Sequence, residues 1–183
     1  MADGIEHGHG HGPAEYRFCP RCGGPLARRL MKAGEPKRLV CRSCSFIFYL
    51  DPKVVTATLI TIDRRIVLLR RGVEPSLGKW VFPGGYVDRG ESVEDAAVRE
   101  TKEESCLDVR LAKIVGVYSY SGSANVIVVY AAEVIGGNLE AGDESLEARA
   151  FDAPEIPWGD LAFDSTRDAL EDYIRLYLRK KME

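Results

Sequence analysis

The stretch Gly85-Tyr-Val-Asp-Arg-Gly-Glu91-Ser-Val-Glu-Asp-Ala-Ala-Val-Arg99-Glu100-Thr101-Lys102-Glu103-Glu104-Ser105-Cys106 decides how the chain is read. Ser92, with Asp95 three residues on, has the form of an N-cap and its capping-box partner, which predicts a helix starting here. At about 100° of turn per residue, Glu100, Glu103 and Glu104 share the side of Val93, Ala96 and Ala97, while Glu94, Asp95 and Lys102 fall opposite. The acids therefore point with the apolar stripe, toward the protein. Like charges at i,i+3 and i,i+4 destabilise a helix by roughly 0.2–0.5 kcal/mol a pair in water, and more away from bulk solvent. A positive charge must offset them. Carboxylate oxygens suit Mg²⁺ or Mn²⁺, and a site with few protein ligands leaves room for water and substrate phosphates. The plain alternative is a charged helix whose acids pair with Arg99, Lys102 and other basic side chains.

The full spacing weighs against that alternative. The stretch resembles the signature of the Nudix hydrolases, G-x5-E-x7-R-E-U-x-E-E-x-G-U with U apolar, at Gly85, Glu91, Arg99, Glu100, Glu103 and Glu104. Thr101 departs from the pattern where an aliphatic residue is usual, and Ser105 is read as standing for the last glycine. The resemblance implies that Glu100, Glu103 and Glu104 ligate the catalytic metal with the Gly85 carbonyl, and that Glu91 pairs with Arg99 to fix the loop against the helix.

A second signal lies upstream. Cys19-Pro-Arg-Cys22 and Cys41-Arg-Ser-Cys44 are two C-x2-C knuckles 18 residues apart, the spacing of a structural zinc ribbon with four thiolates around one Zn²⁺. Disulfides would need an oxidising compartment, and residues 1–15 have no apolar core of the kind a secretory leader carries. A redox C-x-x-C needs only one pair. The fifth cysteine, Cys106, is expected to be an inert core residue.

At 183 residues and 45% hydrophobic, the chain has material for one good core and a small appended module. The expected division is a His- and Gly-rich tail over 1–15 carrying His7, His9 and His11, a zinc ribbon over 16–50, and a catalytic domain over 51–183. No apolar run approaches the roughly 20 residues that span a bilayer. A net charge of −3 gives no basic footprint for nucleic acid. A cytoplasmic protein with neither membrane nor nucleic-acid partner is expected, with a homodimer left open.

Periodicity predicts strands at Val54–Ile62, Ile66–Leu69, Val109–Tyr120, Val126–Ile135 and Leu146–Phe151. A closing helix near Ser165 carries the stripe Leu170, Tyr173, Ile174, Tyr177 and Leu178. The Nudix resemblance covers about 53–181 and implies an α/β class protein, an α/β/α sandwich around a mixed sheet. Ribbons also occur in some Nudix subfamilies, among them NADH pyrophosphatases and FAD or ADP-ribose pyrophosphatases.

A diphosphate linkage repels anionic nucleophiles, so a site that hydrolyses it must neutralise its oxygens and hold a water in line. Arg70, Arg71 and Lys79 are candidates to hold phosphate oxygens, and Trp80, Tyr118, Tyr120 and Phe48 to stack on a base or flavin. The base is expected to be Glu103 or Glu104, or an acid of the later loop, where Glu144 and Glu147 are preferred over Glu140 and Asp143. The array S-Q-P-W-P-F-P-x-S associated with NADH pyrophosphatases is absent; the corresponding region reads Val117-Tyr-Ser-Tyr-Ser-Gly-Ser-Ala-Asn125. By elimination the resemblance is to the FAD or ADP-ribose type. NADH cleavage, housecleaning of nucleoside triphosphates and a ligand-sensing regulatory Nudix domain are the alternatives.

Overall fold

The computed structural model describes residues 16–178, so the His7, His9 and His11 tail lies outside the described residues. The side chains of Tyr177 and Leu178 in the expected stripe do too. The chain divides into two compact units, one ending at Pro52 and the other beginning at Lys53.

The first unit is an antiparallel sheet of three short strands, β1 (Leu26–Arg29), β2 (Arg38–Cys41) and β3 (Ile47–Phe48), with β2 in the middle. Its small interior is Leu39, Val40 and the cysteines Cys19 and Cys41. So little buried apolar surface cannot hold such a unit alone, and cross-linking by metal is the usual remedy. Phe48 packs edge-on against Tyr16, ring centroids 5.1 Å apart.

The second unit is built on β4 (Lys53–Ile62), β5 (Arg65–Arg71), β8 (Leu107–Ser119), β9 (Asn125–Gly137) and β10 (Ser145–Phe151), ordered β10-β5-β4-β9-β8. Short strands β6 (Trp80–Val81) and β7 (Gly84–Tyr86) pair with β5 and β4. The β4–β9 pair is parallel and the others antiparallel, so the sheet is mixed. The hairpin from β4 to β5 turns on Asp63 and Arg64, both with positive φ, the backbone that a two-residue turn of twisted strands requires.

Two helices cover the sheet: α1 (Val93–Ser105) and α2 (Asp164–Tyr173), the latter running into a π-helical turn at Ile174–Leu178. Ser92 caps α1 by accepting from the Asp95 amide at 3.0 Å. Side chains of β4 alternate between the two faces. Ala57 and Leu59 join Leu68, Val129, Leu170 and Tyr173 in the larger core under α2. Thr58 points the other way, to α1, where its hydroxyl lies 2.6 Å from that of Thr101. Thr101 also donates to the Ala97 carbonyl at 2.7 Å, and Ser105 to that of Thr101 at 2.6 Å. All three hydroxyl residues are fully buried. The polar residue at an aliphatic position is thus accommodated by a partner on the central strand.

Two readings of the helix end are corrected. The residue with the left-handed backbone of a terminal glycine is Cys106 (φ 59°), not Ser105, and counting the signature also puts its glycine at 106. Cys106 is a half-buried cap whose amide donates to the Lys102 carbonyl at 3.0 Å. It is not a core residue. Among the described residues no helix is long and apolar enough to cross a membrane.

Candidate active site

The glycine turn and α1 make the site together. Val55, Thr56 and Ala57 of β4 pair with Tyr86, Gly85 and Gly84 of β7, which presses the glycine backbone against the buried side of the helix. A side chain at 85 would put its Cβ closer to the Glu100 carboxylate than real Cβ contacts allow. One at 84 would meet the β4 backbone in the same way. Glycine is required here by space, since neither residue has a positive φ.

Glu104 turns back along the helix and its Oε2 accepts the Gly84 amide at 2.9 Å. Burial pushes its carboxyl up to about 7, with the charges of Glu100 and Glu144 adding to the rise while the Gly84 amide and Arg71 oppose it. Burial also raises Glu100, although Arg99 offsets part of the effect. Two acids raised mainly by burial, with neighbouring carboxylate charges adding to the rise, fit a site for a cation. The hydroxyl of Thr56, across from Gly85 in register, is buried with no protein partner.

Arg99 ties the loop to the helix. Its Nη2 and Nε donate to the two oxygens of Glu91 at 2.8 and 2.9 Å, and its Nη1 to Glu100 at 2.7 Å and Glu103 at 3.3 Å. The Tyr86 carbonyl accepts a further bond at 3.3 Å. Paired with Arg99, the Glu91 carboxyl is held below its usual range. Glu103 differs from the helical-wheel expectation: its side chain is 59% exposed, at the rim rather than with the half-buried Glu100 and Glu104.

The loop after β9 closes over the end of α1. Amides of Glu140 and Gly142 donate to the carbonyls of Ser105 and Glu104 at 3.2 and 3.0 Å, and the Gly72 amide donates to that of Glu144 at 2.7 Å. A side chain at Gly142 would collide with the backbone of Glu103 and Glu104. This anchoring brings Glu144 into the field of Glu100 and Glu104. Glu147 lies on β10 opposite Arg70 and is exposed.

The basic and aromatic candidates separate. Arg71 lines a cavity of about 460 Å³ that also takes in Gly84, Tyr120, Phe163 and Thr166. Arg70 donates to the Gly78 carbonyl at 3.0 Å, and Lys79 pairs with Asp160 at 2.8 Å. Trp80 packs edge-on against Phe151 at 4.9 Å and does not line the cavity. Tyr118 and Tyr120 donate to Asp172 and Asp168 of α2 at 3.0 and 2.7 Å; only Tyr120 also lines the cavity. Sequence reasoning missed the Gly84 amide, Asn125, and the Phe163–Arg167 segment, which lines the cavity from the start of α2.

In the first unit the sulfurs of Cys19, Cys22, Cys41 and Cys44 all lie within 4.8 Å of one another. The close pairs are 3.3–3.9 Å apart, against about 3.8 Å for thiolates arranged tetrahedrally on Zn²⁺ at about 2.3 Å. Amides of Ser43 and Cys44 point at Cys41 Sγ at 3.4 and 3.5 Å. The Cys44 amide is the main cause that lowers the Cys41 thiol to about 6, which favours the thiolate a metal binds. The four residues fit zinc.

With this geometry the chain belongs to the Nudix hydrolase family. Residues 51–172 match the NUDIX domain, and residues 17–50 the Nudix N-terminal zinc ribbon. Over 131 residues the chain is 41% identical to the ADP-ribose pyrophosphatase of Methanocaldococcus jannaschii, covering 69% of this chain and 76% of that protein. It is 28% identical over 171 residues to the NAD-capped RNA hydrolase NudC of Stutzerimonas stutzeri, covering 92% of this chain but only 58% of the relative. A crystal structure of a NUDIX hydrolase from Nitrosomonas europaea superposes with a TM-score of 0.84 at 32% identity, covering 90% of this chain and 93% of that one.

Proposed function

We propose that the protein hydrolyses the diphosphate linkage of ADP-ribose, giving AMP and ribose 5-phosphate. The observation that carries this is the half-buried pair Glu100 and Glu104 against the glycine turn, an arrangement that calls for a cation, with Gly84 also lining a cavity of about 460 Å³. The 41% identity to an ADP-ribose pyrophosphatase supports the choice of substrate. FAD is the second member of the same class.

The Gly85 carbonyl, Glu100 and Glu104 hold Mg²⁺ or Mn²⁺, with Glu103 at the exposed rim. When bound, the divalent ion supplies neutralisation of the diphosphate oxygens and a more acidic water. The side chains do the positioning. Arg99 holds Glu100 by a charged hydrogen bond and Gly84 holds Glu104, so neither carboxylate has to be ordered when substrate arrives. Arg71, which lines the cavity, takes a phosphate oxygen. Glu144, carried by a loop pinned to α1 and β5, accepts the proton of the attacking water as that oxygen bonds to phosphorus and the bridging P–O bond breaks. The four-cysteine cluster binds Zn²⁺ structurally, with no position left for water.

A panel of ADP-ribose, FAD, NADH, NAD-capped RNA and nucleoside triphosphates, each with Mg²⁺ and Mn²⁺ and with products resolved by chromatography, tests the reading. Fastest release of AMP from ADP-ribose is expected. Preference for NADH or triphosphates with ADP-ribose untouched would reject the substrate and keep the hydrolase.

A further inference from the structure

The net charge of −3 is unevenly spread along the chain. Residues 16–50 carry eight arginines and lysines against one acid, Glu35. Four thiolates around one Zn²⁺ together bring two negative charges, so the ribbon stays strongly cationic with its metal bound. A sum over the whole chain therefore conceals a basic footprint on one unit. Among the described residues none of the eight is in an ion pair, whereas Lys79, Arg99, Lys102, Arg110 and Arg175 of the second unit all are. Surface charges that only confer solubility are mixed in sign. Here Arg29 of β1 stands directly opposite Arg38 of β2, a like-charge pair that weakens a sheet unless an anion offsets it. Lys32 and Lys37 are exposed on the loop that joins these two strands, together with Leu30 and Met31. The guanidinium of Arg38 lies over the Tyr49 ring, 5.3 Å from its centroid, and Tyr49 is still 52% exposed.

We propose that this end of the ribbon, Arg29, Lys32, Lys37 and Arg38 with Tyr49, is a docking surface for single-stranded polynucleotide. It uses none of the residues of the diphosphate-hydrolysing site. Closely spaced cations with no acidic partner of their own match a chain of phosphates. Cations alone would suit any polyanion, and the aromatic ring narrows the choice. An unpaired base stacks on the exposed part of Tyr49 or on the guanidinium plane of Arg38, and every base has such a face. A duplex keeps its bases stacked inside and offers Tyr49 only its backbone. An acidic peptide supplies the charge without the ring.

The test is fluorescence anisotropy of a labelled, unstructured oligonucleotide of mixed sequence titrated with the zinc-loaded full chain over a range of salt. It is run as RNA and as DNA, and binding of either satisfies the proposal. The logarithm of affinity is expected to fall against the logarithm of salt with a slope of about −2 to −3, the value for three or four phosphates neutralised on a single strand. The combined variant Arg29→Gln, Lys32→Gln and Lys37→Gln should bind at least about tenfold more weakly and with a slope smaller by about 2. Tyr49→Ala should weaken binding about tenfold with the slope unchanged, and Tyr49→Phe should bind as the parent does. Zinc content and turnover of small diphosphate substrates should match the parent in every variant. If a variant loses zinc, the slope of the parent and the behaviour of Tyr49→Phe still decide. No binding by the parent, affinity independent of salt, or parental affinity in the combined variant or in Tyr49→Ala would each overturn the proposal. So would displacement by the duplex, or by polyglutamate of equal charge, as readily as by the unlabelled single strand. Binding is read without turnover, so failure here leaves the ADP-ribose reading intact, and failure of that reading leaves this surface intact.

Discussion

The amide of Gly84 donates to the carboxylate of Glu104 across 2.9 Å, so one glycine holds a helix side chain twenty residues further along the chain. The bond fixes a side chain that burial would otherwise drive toward its neutral form.

Replacing that carboxylate should remove activity and leave the fold. Glu104→Gln keeps an oxygen to accept the Gly84 amide and loses the charge, so turnover is expected to drop at least about a hundredfold while the circular dichroism spectrum is unchanged. Glu100→Gln should behave alike. Wild-type turnover in both would sink the metal-hydrolase assignment.

Space at the turn makes a sharper test. Gly85→Ala adds one methyl group where the Glu100 carboxylate lies, so the acid must move or the turn must open. Mg²⁺ or Mn²⁺ titrated by calorimetry should bind about tenfold or more weakly, as expected when a ligand's orientation is disturbed. Undiminished affinity would show that the methyl is absorbed elsewhere.

The fork of Arg99 is not replaceable by charge alone. Arg99→Lys retains the positive charge but cannot hold both Glu91 oxygens together with Glu100. Turnover should fall about tenfold or more and the melting temperature should decrease. An unaffected enzyme would mean that the network of five acceptor atoms around Arg99 is dispensable.

Glu91 gives that network a pH signature. Its folded pKa is depressed by Arg99, so the unfolded chain binds more protons through the acid range. The stabilisation is fully present above the unfolded value of about 4.3 and is lost as pH falls through the lower folded value. Melting curves from pH 6 to pH 3 should show a smaller acid-side decline for Glu91→Gln than for the parent; identical declines would remove Glu91 from the account.

Zinc should be present at one ion per chain in protein purified without added metal, measured by elemental analysis. Cys41→Ser should lose it. Metal-free protein with the four cysteines reduced and a folded ribbon would reject the site.

Much of the fold and part of the site are legible in the sequence because local rules coincide with global ones. The Ser92 cap and the two cysteine knuckles are set by short-range spacing and the strands by alternation, while the Glu91–Arg99 pair is legible only through the Nudix resemblance. Glu103 escapes the helical wheel because 100° per residue places it at the edge of the acid face, where Arg99 draws it outward. Cys106 differs from the expectation by a single step in the signature, and backbone conformation decides that step. The cavity is invisible for a different reason. Asn125, Phe163 and Thr166 are brought together by the pairing of β9 with β4 and by the packing of α2, and no spacing in the chain records either.

The hydroxyls of Thr58, Thr101 and Ser105 have a mechanical consequence. The bonds from Thr101 to Ala97 and from Ser105 to Thr101 run within α1, and of the three only the Thr58–Thr101 contact ties the helix to the central strand. Sliding α1 by a residue would break that contact and leave the buried Thr58 hydroxyl without its partner, so the axial register of the helix is held in a way that methyl groups would not impose.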